Sequence, residues 1–225
     1  MNYRLQYLRP DSHCLDDHPR LPKIFEEATN GINQIRRKLG LEPMEFRHDH
    51  VEIVPGYNWE KFERSHGMKD TLGFHVMQIP KSFVRNHMDP HFRHIGQFER
   101  GIRETGKVMT HELIHHGSGN GLTLLMTLDE GITETNTDEI FASRVHSVVS
   151  GATTFYGETN GREVWNILHE SCPRASEDIH QAFWEGDNAK AATALINGFG
   201  RRVLSLLLQK KIVSSTELKC ALRQS

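Results

Sequence analysis

Five consecutive residues of the chain have the types and the spacing of a zinc-dependent hydrolase motif. They are His111-Glu112-Leu113-Ile114-His115, an HExxH pattern within a stretch predicted to be helical. Residues four apart lie one turn apart on the same helix face, so both imidazoles can point at a single ion. Zinc bound by imidazoles with an open coordination position lowers the pKa of its water to about 7. The intervening Glu112 can take a proton from that water and deliver it to a leaving amine, which makes it the predicted catalytic base.

A third ligand must come from outside this motif, and its spacing separates the classes of zinc hydrolase. Metzincins place a glycine and a third histidine where this chain has Ser118 and Gly121, and aspzincins need an aspartate that the following loop does not contain. A glutamate from the next helix remains, and Glu130 and Glu134 lie four apart on one predicted helix face. One of them can bind the metal while the other holds the N–H of a ligating histidine.

Hydrolysis also needs a group that stabilises the oxyanion developing at the scissile carbonyl. The candidates downstream of the motif are Tyr156, Arg162, Arg144 and His146. Tyr156 is the only tyrosine after the motif, so a tyrosine in this role must be Tyr156. A core or turn position is the alternative interpretation of this residue.

The composition allows a packed core but gives no sign of a nucleic-acid or membrane partner. The 225 residues include 27 basic and 29 acidic residues, for a formal net charge of -2. Proteins that bind nucleic acid usually carry a basic excess, so such a partner is disfavoured. No window approaches about 20 consecutive apolar residues, and the first residues lack the apolar stretch of a secretory signal. Three widely spaced cysteines, Cys14, Cys172 and Cys220, favour a reducing compartment.

The elements that must hold these residues follow an α+β pattern, with strands early, the motif helix in the middle and a helical C-terminal half. The polar residues 1–20 are predicted to form a flexible N-terminal arm and are a candidate secretion signal, which leaves 21–225 as one domain. Ser214 and Glu217 fit the capping box of a last helix. Apolar periodicity predicts strands at 51–54 and 74–79, and helices at 22–39, 97–116, 129–149, 162–169, 176–184, 189–211 and from 215.

The motif is spelled as in the clostridial neurotoxin light chains, which are zinc endopeptidases that act in the cytosol. In its length and in Asp129-Glu130 after the motif, the chain resembles the short zinc-metalloprotease effectors of type III secretion, the NleD-like group and its HopH- and XopG-like relatives. The resemblance covers about residues 108–138 and is general elsewhere. It implies a gluzincin with a zincin-like fold, in which a small N-terminal β-sheet packs on the HExxH helix. In zincins an edge strand pairs with extended substrate, a role for the strand at 74–79.

The same resemblance implies roles for single residues. His111, His115 and Glu130 would bind one Zn²⁺, Glu112 would be the catalytic base, and Glu134 would orient a ligand. The reverse assignment of the two glutamates stays open, because some aminopeptidase-type gluzincins use the spacing of Glu134. The Arg-x-x-Tyr element of the neurotoxins has no match in this chain, so the resemblance assigns no oxyanion residue.

The implied function is that of a bacterial protein injected into a host cell by a type III system. In the host cytosol it would cleave signalling proteins at an extended segment; for the NleD-like members these are MAP kinases, cut in the activation loop. A zinc-stabilised module that sequesters a host partner without cleaving it is a second hypothesis. It is disfavoured because a purely structural zinc site has no need of Glu112 and usually has a fourth protein ligand. An aminopeptidase is a third, although no motif for a substrate amino terminus is evident.

Overall fold

A computed structural model of the chain describes residues 13–18, 20–65, 67, 71–76, 81–87, 95–119, 121–149, 160–210 and 212–224. These residues form an α+β fold, which confirms the predicted class. The strands are β1 (Val51–Val54), β2 (Gly73–Val76) and β3 (Lys81–Arg85). The helices are α1 (Leu21–Lys38), α2 (Trp59–Ser65), α3 (Ile95–Gly117), α4 (Met126–Ser143), α5 (Asn160–Ser171), α6 (Pro173–Glu185), α7 (Asn188–Gln209) and α8 (Ser215–Leu222).

The three strands form one small sheet in the order β1-β3-β2. The central strand β3 runs parallel to β1 and antiparallel to β2, so Phe83 lies opposite Glu52 on one side and Phe74 on the other. On the outer side of β1, Cys14 forms an isolated antiparallel bridge with Glu52. The sheet contacts α3 through β2 and β3. Among the described residues, the second predicted strand is therefore an edge strand beside the motif helix.

Except for α2, whose Trp59 packs in a separate small cluster, the helices bury their apolar faces in one shared core with α3 near its centre. In α1, Ile24, Ala28, Ile32 and Ile35 recur at helical spacing and are buried. This face of α1 packs on α3, which also contacts the sheet and α4. The last helix begins at the predicted capping box, in which the Ser214 hydroxyl accepts the backbone N–H of residue 217. The core thus holds the motif helix on several sides.

The helix predicted at 129–149 is shorter and displaced in the structure. It is α4, which begins at Met126 and ends at Ser143. Arg144 departs from helical backbone geometry, and a 3-10 turn at Val145–Ser147 follows. The buried valines in and after this turn keep near-helical spacing, which explains the longer prediction.

Two other features were not predicted. The sequence analysis assigned neither α2 nor β3, although β3 is the central strand of the sheet. In addition, the described part of the predicted arm packs on the domain, because Leu15 is buried in the core. The strand predicted at 74–79 is described only as far as Val76, since 77–80 lie outside the described residues.

Candidate metal centre

α3 brings the two histidines of the motif together inside the protein. His111 and Glu112 are each only 5% exposed, and the side chain of His115 is partly buried. The Nε2 atoms of His111 and His115 lie 3.2 Å apart. This convergence of two ring nitrogens from successive helix turns is the arrangement that the sequence spacing predicted.

α4 supplies the third predicted ligand. Glu130 Oε2 lies 3.3 Å from Nε2 of His111, and Oε1 lies 3.6 Å from Nε2 of His115. The ligand atoms of these three residues all lie within 4.8 Å of one another, so the group could hold a metal ion. The Glu130 side chain is half exposed, whereas that of His111 is buried.

Asp129, to which the sequence analysis gave no role, contacts the second histidine. Its Oδ2 lies 3.2 Å from Nδ1 of His115, the ring nitrogen that points away from Glu130. Its Oδ1 accepts the backbone N–H of Leu122 at 2.6 Å. Gly121 makes this approach possible, because its φ is +52° and a Cβ there would lie 2.0 Å from the Asp129 carboxylate. Asp129 therefore ties the loop before α4 to His115 and fixes the orientation of its ring.

Glu134 lies one turn beyond Glu130 on α4 and is almost completely buried. Its Oε2 lies 3.7 Å from Nε of Arg162, and its backbone oxygen accepts a hydrogen bond from Nη2 of Arg162 at 3.4 Å. The carboxylate found on Nδ1 of His115 is that of Asp129. The group that could hold a metal contains Glu130 and not Glu134; which of the two glutamates binds a metal stays a prediction.

The buried charges of the centre shift one another's pKa values. Burial alone would lower the pKa of His115, but its hydrogen bond to Asp129 and the nearby carboxylates raise it to about 10. Burial opposes the ionisation of Glu130, yet His111 and His115 lower its pKa to about 2. For Glu112 burial dominates and raises the pKa, although both histidines act in the opposite direction. Glu112 is thus the carboxylate of the centre with increased proton affinity.

The edge strand β2 begins directly against this carboxylate. A Cβ at Gly73 would lie 2.8 Å from Oε1 of Glu112 and 2.7 Å from Val108. A larger residue where the strand crosses α3 would force the side chains of Val108 and Glu112 to move. The crossing places the backbone of an edge strand beside the predicted catalytic base.

The structure describes three of the four candidates for the oxyanion role. Tyr156 lies outside the described residues. Arg162 lies at the start of α5, next to Glu134. Arg144 points to α1, where it contacts Gln34 and Glu27, and His146 is exposed on the 3-10 turn. Arg162 thus contacts Glu134, which lies one turn beyond Glu130 on α4.

Comparisons with known proteins assign no family to the chain. No protein-family model matches it, and neither a curated protein nor a solved structure does. The family resemblance of the motif region therefore stays a prediction. In the described part of the chain, no helix has the length and apolar character that a membrane crossing requires.

Proposed function

We propose that the protein is a zinc-dependent endopeptidase of gluzincin type. The observation that carries the proposal is the convergence of His111, His115 and Glu130 next to the buried carboxylate of Glu112. Two imidazoles and one carboxylate are a ligand set of catalytic zinc sites, in which a further position remains for water or substrate. The half-exposed side chain of Glu130 is compatible with such an open position.

The contacts around the ligands also fit zinc. A ligating histidine usually donates its second ring N–H to a carboxylate or carbonyl, which fixes the tautomer. Asp129 lies at Nδ1 of His115 in the place of that acceptor, so that Nε2 is directed to the metal position. The donor chemistry and the orientation of the rings therefore favour a divalent transition metal over Mg²⁺ or Ca²⁺, which prefer oxygen ligands.

The proposed reaction divides the work between the metal and Glu112. When bound, Zn²⁺ would polarise the scissile carbonyl and lower the pKa of a coordinated water. Glu112 would accept a proton from the attacking water and return it to the leaving amine. Burial supports this role, because it raises the pKa of Glu112 and so lets the carboxylate hold a proton between the two steps.

The sheet offers a means of holding a polypeptide. An extended segment can add to the free edge of a sheet through backbone hydrogen bonds. The outer side of β1 is bridged by Cys14, whereas β2 lies at the opposite edge and begins against Glu112. A segment paired with β2 would therefore pass close to the catalytic base. A zincin-like fold is the finer architecture that we propose on this basis.

The biological setting is proposed from the resemblance of the motif region. It is a bacterial effector, delivered by a type III system, that cleaves signalling proteins of the host, with MAP kinases as the first substrates to test. One observation on the described residues supports this setting. The edge strand β2 could pair with an extended loop of a folded substrate.

Comparison of wild type with Glu112→Gln in a host-cell lysate tests the proposed function. New protein N-termini are labelled and identified by mass spectrometry after incubation with zinc-loaded protein. We expect internal N-termini that wild type generates, that Glu112→Gln does not, and that the exposed matched control Glu139→Gln retains. A loss of about 10²- to 10⁴-fold is typical for removal of a general base.

The other outcomes distinguish the competing functions. Equal cleavage by wild type and Glu112→Gln would overturn the assignment of Glu112 as the base. A wild type that retains a host partner on a column without creating new N-termini would favour the binding module. Shortening of native N-termini alone would favour an aminopeptidase.

A further inference from the structure

One helix turn away from the metal centre, four charged side chains connect α3, α4 and α5. Lys107 Nζ lies 2.6 Å from Oδ1 of Asp138, and Arg162 Nη2 lies 2.7 Å from Oδ2 of the same carboxylate. Arg162 also contacts Glu134, as described above. We refer to Lys107, Glu134, Asp138 and Arg162 as the ion network. Its two cations and two carboxylates balance one another in charge.

Two of the four charges in the network are buried, and their desolvation opposes folding. Lys107 is only 1% exposed and Glu134 only 4%. Transfer of such charges out of water costs free energy that their mutual attraction often fails to exceed, so well-packed apolar residues would serve stability as well. What buried ion pairs supply in some proteins is a unique relative position of the elements that they join. The position of the network indicates which elements it fixes relative to one another.

Each helix of the metal centre carries one network residue a single turn from its ligand. Lys107 precedes His111 by four residues on α3, and Glu134 follows Glu130 by four residues on α4. His111 contacts Glu130, and Lys107, which comes earlier on α3, contacts Asp138, which comes later on α4. The two helices are therefore antiparallel. A shift of one helix along the other would break the Lys107–Asp138 pair and change the separation of the metal ligands together.

The start of α5 also fixes the position of α4. A Cβ at Gly131, the residue after Glu130, would lie 2.2 Å from the backbone oxygen of Gly161. Arg162 follows Gly161 directly and reaches two carboxylates of α4. The start of α5 is therefore fixed to α4 both at the metal ligand and one to two turns beyond it.

We propose that the ion network positions Glu130 against His111 and His115 and so sets the affinity of the centre for a divalent cation. Its members are positioning residues, since they act through the helices that carry the ligands. The proposal rests on the proposed function to the extent that the cation is Zn²⁺. It assigns a role to Lys107 and Asp138 that the sequence motifs did not indicate.

The test is the zinc affinity of Asp138→Asn, measured by competition with a chromogenic chelator on the full chain. This substitution keeps the shape of the side chain and removes the charge that both cations share. Because outer residues of a metal site typically change affinity by about 10- to 100-fold, we expect a loss in this range. The adjacent exposed variant Glu139→Gln removes one negative charge from the same helix and should bind zinc as wild type does.

Two further variants make the result decisive. Arg162→Gln removes the second cation independently and should weaken zinc binding in the same direction, whereas Arg162→Lys keeps the charge in a smaller side chain and should retain more of the affinity than Arg162→Gln. Circular dichroism and the Tm of each metal-free variant are measured in parallel. A lower Tm with zinc affinity within twofold of wild type in both Asp138→Asn and Arg162→Gln would overturn the positioning role. A wild type that binds no zinc would instead overturn the proposed function, and this proposal with it.

Discussion

The central helices and the C-terminal helices of this protein bury different kinds of side chain. In α5 to α8, the described buried residues are almost entirely apolar, and Ser176 is the polar exception. In α3 and α4 the buried set is rich in polar and charged groups, namely Glu104, Thr105, Lys107, Thr110, His111, Glu112, Thr127, Thr133, Glu134, Asn136 and Thr137.

This difference separates two physical roles within one core. Burial of apolar surface stabilises a fold without requiring any particular partner for each group. A buried charge is tolerated only where specific partners compensate its desolvation, so it restricts the geometry around it. The C-terminal helices thus contribute mainly apolar burial, while α3 and α4 combine apolar burial with a centre whose buried charges restrict its geometry.

The largest effect on stability is expected in the apolar region. Leu195 is fully buried on α7, and truncation of a buried leucine to alanine typically costs about 2–5 kcal/mol in the free energy of unfolding. Urea denaturation of Leu195→Ala should show this loss, while zinc affinity under folding conditions stays close to that of wild type. A large loss of zinc affinity in the folded variant would break the proposed separation of roles.

Asp129→Asn is expected to act mainly on zinc affinity rather than on the free energy of unfolding. The substitution keeps the shape of the side chain but removes the charge beside Nδ1 of His115. Zinc affinity should fall by about 10- to 100-fold, as is typical when the partner of a ligating histidine is lost. Asp187→Asn, at the cap of α7, is a control of the same chemical type and should leave zinc affinity unchanged. Equal affinities of wild type and Asp129→Asn would show that Asp129 does not orient the ligand.

A smaller effect on zinc affinity, which changes gradually with pH, is also expected. In the metal-free protein the pKa of His115 is raised to about 10, so the ring must release its proton before zinc binds. Apparent zinc affinity should therefore rise by about tenfold per pH unit above neutrality, until about pH 10. Isothermal titration in buffers of different ionisation enthalpy measures the released proton directly. Affinity that is independent of pH in this range would contradict the raised pKa.

The raised pKa of His115 also predicts how the stability of the metal-free protein depends on pH. A folded-state pKa above the unfolded value of 6.5 means that the protonated ring of His115 favours the folded state. This contribution is complete below 6.5 and is lost as the pH rises through about 10. The Tm of the metal-free chain should decrease over that interval, and His115→Gln should show a smaller decrease.

Local spacing made the motif helix and the three-residue group predictable. His111 and His115 share a helix face for purely local reasons, and Glu130 follows on the next helix after a short loop. The role of Asp129 was not visible, because it depends on a loop in which Gly121 adopts positive φ and Leu122 donates its N–H. No local pattern states which carboxylate the folded loop brings to His115.

Non-local pairing explains what else the sequence did not reveal. β3 is short and carries Lys81, Ser82 and Arg85 besides its two apolar residues, so its strand character comes mainly from pairing on both sides with β1 and β2. Lys107 looks like an ordinary surface lysine in the sequence, but in the fold it is buried and pairs with Asp138 of α4. Both features depend on contacts between distant segments.

The most direct test of the metal centre is zinc stoichiometry by elemental analysis of the purified chain after zinc is supplied. Wild type should contain one zinc per chain, Glu130→Ala should lose it, and the exposed control Glu139→Ala should keep it. Retention in Glu130→Ala with loss in Glu134→Ala would reverse the order of the two glutamates. A wild type that contains no zinc would contradict the metal centre itself.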